Sequence, residues 1–183
     1  MNTSGELVRL FFAALPEPGV LARLAGAADA LQLGPPARLV CRENLHMTCA
    51  FIGEIPVARL ADAMEIGRRQ RGARFSLRFE AYEYWPKPEV VVAAARTIPA
   101  PLQALWETLH RELAVHGWAL DPKPLRPHVT LARKVSQPPV LQAMSPLVWD
   151  VSGFSLMRSD TGGAQSAYTV VGTWPLLDDA AET

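Results

Sequence analysis

Apolar and polar positions along this chain recur with two periods, and the places where the period changes mark its elements. Residues 7–15 are almost continuously apolar up to Pro16, which predicts a well-buried strand. Val20, Leu21, Leu24, Ala27, Ala28 and Leu31 then fall at helical spacing, so 18–31 reads as a helix stopped by Gly34-Pro35-Pro36. A short strand over 38–41 and a turn at Glu43-Asn44 lead to an alternating strand over 45–52, closed by Gly53. Pro56 and Gly72 bracket a second helix with Leu60, Met64 and Ile66 inward. Its Arg68-Arg69-Gln70-Arg71 tail complements the helix dipole, and we read it as a solvated helix end rather than a nucleic-acid site.

Phe75, Leu77 and Phe79 alternate with Ser76, Arg78 and Glu80, the pattern of a half-buried antiparallel strand over 75–84. A turn at 85–89 returns it as a hairpin to 90–95. Leu102, Leu105, Trp106, Leu109 and Leu113 form one stripe, which predicts a helix over 99–116 capped at Gly117. A linker at 121–124 leads to a strand over 127–133, and a proline-containing connection then holds a short helix to Met144. Strands over 147–158 and 168–174 follow, joined by a flexible loop at 159–163, and 178–183 is an acidic tail. No linker between domains or low-complexity segment interrupts this order.

Two of these strands carry chemistry. His46-Met47-Thr48-Cys49 and His128-Val129-Thr130-Leu131 each place an imidazole and a hydroxyl two residues apart. Alternate residues of a strand share a face, so each pair points the same way. Both motif strands follow a strand and a helix, which predicts two lobes related by an approximate two-fold and a shared cleft. Two imidazoles and two hydroxyls converging there suit a small anionic group such as a phosphate. One such triplet means little, since Thr is common in strands; two in matched contexts are much less expected by chance. His110, on the polar side of its helix, and His116, beside Gly117, have no Thr two residues on, and both read as helix-surface or capping residues.

Composition narrows the picture. At 183 residues, 49% hydrophobic and 20% charged, the chain can bury a sizeable core. Eighteen basic residues balance eighteen acidic ones, which argues against coating nucleic acid through bulk charge but leaves room for a local basic patch. Cys41 and Cys49 read as reduced core residues, and residues 1–6 lack signal-peptide features, so a cytoplasmic protein that spans no membrane is expected.

The paired motifs resemble the twin His-x-Thr signature of the two-histidine (2H) phosphoesterases, and within them the RNA 2',3'-cyclic phosphodiesterases, historically called 2'-5' RNA ligases. Arg9-Leu10-Phe11-Phe12-Ala13 is similar to the opening strand, residues 44–53 to the first motif, residues 126–133 to the second with its trailing Arg133, and Tyr168 with Trp174-Pro175-Leu176 to the closing strand. Cys49 departs from the pattern, where an aliphatic residue is usual. The resemblance implies a single bilobal α+β domain over 1–183, with two pseudo-symmetric antiparallel sheets lining a V-shaped cleft and helices outside. It implies metal-free hydrolysis of RNA 2',3'-cyclic phosphate ends, tRNA fragments among them, to 2'-phosphates by a monomer, with 2'-5' ligation as related chemistry. His128 would then be the base and His46 the acid, an assignment the residues alone leave open. Thr48, Thr130 and Arg133 would hold the phosphate.

Arg133 lies an odd offset from His128, so an ideal strand would aim it away from the site, and only a bulge or a strand end re-aims it. Arg126 lies an even offset from His128. Phe11 and, more weakly, Tyr168 are candidate surfaces for the terminal base. Zinc needs three or four protein ligands, and neither motif offers another at compact spacing, so no metal or cofactor is expected. Small cyclic nucleotides or 2'-5' oligonucleotides as substrates, and a non-catalytic module for RNA ends, remain the alternative readings.

Overall fold

Most strand-forming runs of this chain pair with partners distant in sequence, and two of the longest change sheets midway. The computed structural model describes residues 6–119, 123–160 and 167–178. The first third holds β1 (Leu7–Ala14), α1 (Pro18–Asp29), β2 (Arg38–Leu39) and β3 (Met47–Pro56). Next come α2 (Leu60–Arg69), β4 (Phe75–Phe79), β5 (Ala81–Trp85), β6 (Val90–Ala94) and α3 (Ala100–Val115). The chain then passes through β7 (His128–Arg133), β8 (Leu147–Val151), β9 (Gly153–Asp160) and β10 (Ala167–Pro175).

The main sheet runs in the order β10-β9-β1-β3-β7-β6-β5, with β2 also on β7, while β4 and β8 form a separate pair. Every ladder is antiparallel. Within the main sheet β3 meets β7 at one register pair, Met47↔Val129. The sheet is therefore two antiparallel halves joined at a narrow seam, in keeping with the expected bilobal α+β fold.

The helices cross that seam. α1 leaves β1 in the first half and packs against β7 and β8, whereas α3 leaves β6 in the second half and packs against β3; α2 covers β9 and β10. Leu24 of α1 and Leu102, Leu105, Leu109 and Leu113 of α3 are buried in one cluster with Phe12, Met47 and Trp149. Each such side chain contributes roughly 1.5–3 kcal/mol when withdrawn from water. α3 ends where Gly117, at φ +75°, admits a left-handed turn: its N–H bonds Ala114 O at 2.9 Å and Trp118 N–H bonds Leu113 O at 3.1 Å.

Several boundaries differ from the sequence pattern. The 75–84 run breaks at Glu80, so β4 zips against β8 through Leu77↔Trp149 while β5 makes the expected hairpin with β6. The 147–158 run likewise breaks at Ser152 between the two sheets. Alternation reports a buried face but not the partner that buries it. β3 continues through Gly53, whose φ of +87° bends the strand instead of ending it. Residues 137–146 contain no helix, the prolines at 138 and 139 leaving too little chain to nucleate one. The arginine tail of α2 is engaged locally: Glu65 accepts from Arg68 Nε at 2.7 Å and Arg69 Nε at 2.8 Å. The 121–124 linker, the 159–163 loop and the 178–183 tail lie partly outside the described residues.

Candidate active site

The seam is built from the middle residues of the two His-x-Thr triplets. Met47 and Val129 are fully buried, so their neighbours on either side are turned to the opposite face. Because the strands are antiparallel, His46 falls on the side of Thr130 and Thr48 on the side of His128. One local two-fold thus brings all four side chains to a single cleft of about 920 Å³.

Both strands then bulge at the residue after the threonine. In the β1·β3 ladder Phe12 pairs with Ala50 and Ala13 with Thr48, which leaves Cys49 as the extra residue. In the β6·β7 ladder Val91 pairs with Ala132 and Val92 with Thr130, which leaves Leu131. An extra residue shifts the alternation by one. Cys49 and Ala50 are both buried, as are Leu131 and Ala132, and the next residues, Phe51 and Arg133, come to the cleft face. Arg133 therefore reaches the site despite its odd offset. Cys49 points into the core, where burial pushes its thiol pKa up to about 12.

The histidines are held alike. His46 Nδ1 lies 2.7 Å from Asn44 O, and His128 Nδ1 lies 2.7 Å from Arg126 O. A carbonyl only accepts, so each Nδ1 carries the proton and donates it, leaving each Nε2 with its lone pair. Burial is the largest cause lowering both pKa values below the usual imidazole range, and His46 falls to about 4. The backbone hydrogen bonds oppose the shift, whereas Arg133 adds to it at both rings. Among the described residues Arg133 has no ion-pair partner, and neither threonine hydroxyl has a hydrogen-bond partner. The cleft thus presents two neutral imidazoles, two unengaged hydroxyls and the Arg133 guanidinium, with Lys87 also on its lining.

The aromatic neighbours differ. Phe11 is 3% exposed and packs behind His46 with ring centroids 4.9 Å apart, beside Tyr168 at 5.1 Å; Tyr168 meets His46 edge-on at 5.2 Å. Neither Phe11 nor Tyr168 lines the cleft, and Phe11 stands as a wall behind the His46 imidazole, where a candidate base-stacking face was expected. On the other side Trp85 packs on His128 at 4.5 Å and donates from Nε1 to Glu83 Oε2 at 2.8 Å. Arg126 does line the cleft; its guanidinium lies over Trp85 at 4.4 Å and pairs with Glu83 at 2.8 Å.

Several lining residues went unrecognised in the sequence, four of them aromatic or imidazole rings. Phe51, 43% exposed with Arg9 over its ring at 5.0 Å, stands the same five residues after His46 as Arg133 after His128, a signal that parity without a bulge conceals. Trp85 looked like part of a turn. Trp106 and His110 of α3 line the cleft, although His110 Nδ1 also bonds Trp106 O at 2.8 Å as a helix-surface residue would. His116 is the expected cap residue. Among the described residues no group of three or more His, Cys, Asp or Glu could hold a metal ion, and no helix is long and apolar enough to cross a membrane.

Comparison with known proteins places the chain in a family. The chain is 34% identical over 177 residues to a Thermus thermophilus RNA 2',3'-cyclic phosphodiesterase, covering 90% of this chain and 88% of the relative. It also superimposes on a crystal structure of a phosphoesterase with a TM-score of 0.88, at 26% identity over 94% of this chain and 100% of that one. Escherichia coli LigT complexed with 3'-AMP gives 0.86, at 26% identity over 93% and 99%. The profile of the 2'-5' RNA ligase superfamily matches residues 16–163, and to that superfamily this chain belongs.

Proposed function

We propose that this chain hydrolyses the 2',3'-cyclic phosphate at an RNA 3' end to a 2'-phosphate, with paired histidines as general base and general acid. The observation that carries the reading is the mirrored hold on His46 and His128, each fixed at Nδ1 by a carbonyl two residues back and each free at Nε2. The activity for which the Thermus thermophilus and Escherichia coli relatives are named, RNA 2',3'-cyclic phosphodiesterase, supports the substrate.

In the forward reaction a water molecule gives a proton to His128 Nε2 as its oxygen bonds to phosphorus. The P–O3' bond breaks, and the departing O3' takes a proton from His46 Nε2. His46 has to carry that proton in the complex. The charge of the bound phosphate raises its pKa and offsets the influence of Arg133. Charge on the phosphoryl oxygens is met by the hydroxyls of Thr48 and Thr130 and by the Arg133 guanidinium. His46 leaves the cycle deprotonated and His128 protonated, and exchange with solvent restores both. A 5'-hydroxyl in place of water leaves a 2'-5' linkage by the same transfers, which is the ligation reading.

The test is hydrolysis of a short RNA ending in a 2',3'-cyclic phosphate, with chelator present, by the parent, His46→Ala and His128→Ala. Formation of the 2'-phosphate by the parent and its loss in both variants upholds the proposal. Activity of either variant equal to the parent, or a 3'-phosphate product, overturns it.

A further inference from the structure

The cleft does not end at His128. Beyond Trp85 and Arg126 lies a second hollow of about 220 Å³, which shares Trp85, Leu125 and Arg126 with the cleft and is bounded by Arg96 and Ile98. The sheet fixes its place relative to the chemistry. Ala94 pairs with His128, and Ala95 N–H bonds Pro127 O at 3.0 Å, so the chain leaves the ladder beside His128 and Arg96 follows in the bend just past it. Ala94 and Ala95 keep the floor low, and Ile98, 37% exposed, gives an apolar wall.

The charges here are arranged differently from those in the cleft. Arg126 is neutralised by Glu83, whereas Arg96 is exposed and makes no hydrogen bond or ion pair with any described residue. A guanidinium without an ion-pair partner among the described residues, beside a small hollow whose other charges, Arg126 and Glu83, pair with each other, one wall away from a site for a terminal phosphate, suits a nucleotide with its phosphodiester. We infer that this hollow receives the nucleotide 5' to the cyclic end, with Arg96 on the connecting phosphodiester and Ile98 against the sugar or base. The inference rests on the proposed RNA reading and adds to it a preference for oligonucleotides over mononucleotides.

The experiment compares cytidine 2',3'-cyclic phosphate with a trinucleotide ending in the same group, using the parent, Arg96→Glu and Arg96→Lys. The parent should favour the trinucleotide in kcat/KM. Arg96→Glu should lower trinucleotide kcat/KM about tenfold, mainly through KM, and leave mononucleotide turnover within twofold; Arg96→Lys should restore most of the loss. The salt dependence of trinucleotide KM should also weaken by about one phosphate contact. An equal loss on both substrates, or no preference in the parent, overturns the inference. Should the parent turn over neither substrate, the RNA reading itself has failed. The hollow is then judged by binding of a trinucleotide with a 2'-phosphate end: weaker binding to Arg96→Glu upholds it, and unchanged binding overturns it.

Discussion

The two motif strands share a backbone and differ in furnishing. In β3 and β7 alike the sequence runs histidine, buried residue, threonine, bulge, and a fifth residue re-aimed into the cleft. Behind His46 stand Phe11 and Tyr168, and its fifth residue is Phe51; behind His128 stands Trp85 with its Arg126–Glu83 pair, and its fifth residue is Arg133. One half therefore offers an apolar ring where the other offers a cation. A symmetric backbone can hold two identical bases, but an asymmetric substrate needs one side for a sugar and base and the other for a phosphate.

The sharpest way to break the comparison is to remove each imidazole in turn. His46→Ala and His128→Ala should each lower kcat/KM by about 10²- to 10⁴-fold on a cyclic phosphate end. A 4-nitrophenyl phosphodiester, whose leaving group needs no proton, should separate them: turnover should survive in His46→Ala and not in His128→Ala. The reverse pattern would exchange the acid and base roles.

Swapping attention to the fifth residues, Arg133→Ala should cost about 10²- to 10³-fold in kcat, the scale of a lost oxyanion donor. It should also raise the pKa of both histidines, because Arg133 lowers both, and so move the acid limb of the kcat/KM profile to higher pH. Phe51→Ala should instead raise KM about tenfold with kcat little changed, the scale of one lost base stack. Equal effects of the two substitutions on kcat would remove the division of labour.

The smallest effect is on stability. His46 titrates near 4 when folded and near 6.5 when unfolded. Between those values the unfolded chain binds a proton that the folded chain refuses, so stability falls as pH drops from about 6.5 to about 4 and levels off below. The loss is at most about 3 kcal/mol. Denaturant melts across that range should show a flatter slope in His46→Asn; an unchanged slope would mean that the ring is not held neutral.

Much of this was legible in the chain. The triplets, the helix stripe of α3 and the Gly117 cap follow from local pattern, and each is where that pattern puts it. The partners of β4 and β8 were not, because an alternating face looks the same whichever sheet buries it. The aim of Arg133 depended on Leu131, an ordinary apolar residue whose doubling against Val91 and Val92 exists only in the ladder. Phe51 was overlooked for the same reason, and the part played by Phe11 could not be read locally, because an aromatic in a motif-bearing sheet can face the ligand or brace the residue that does.

The crossing of the helices has a mechanical meaning. If only Met47↔Val129 joined the halves, the distance between the two imidazoles would be the softest coordinate in the protein, since a single backbone pair would resist its change. α1 and α3 act as crossed struts, each rooted in one half and bearing on the other, so the stiffness of the cleft is stored in buried leucines that do not line it. Rigidity at the cleft is thus set by packing at Leu24 and Leu109, side chains that face the core and not the cleft.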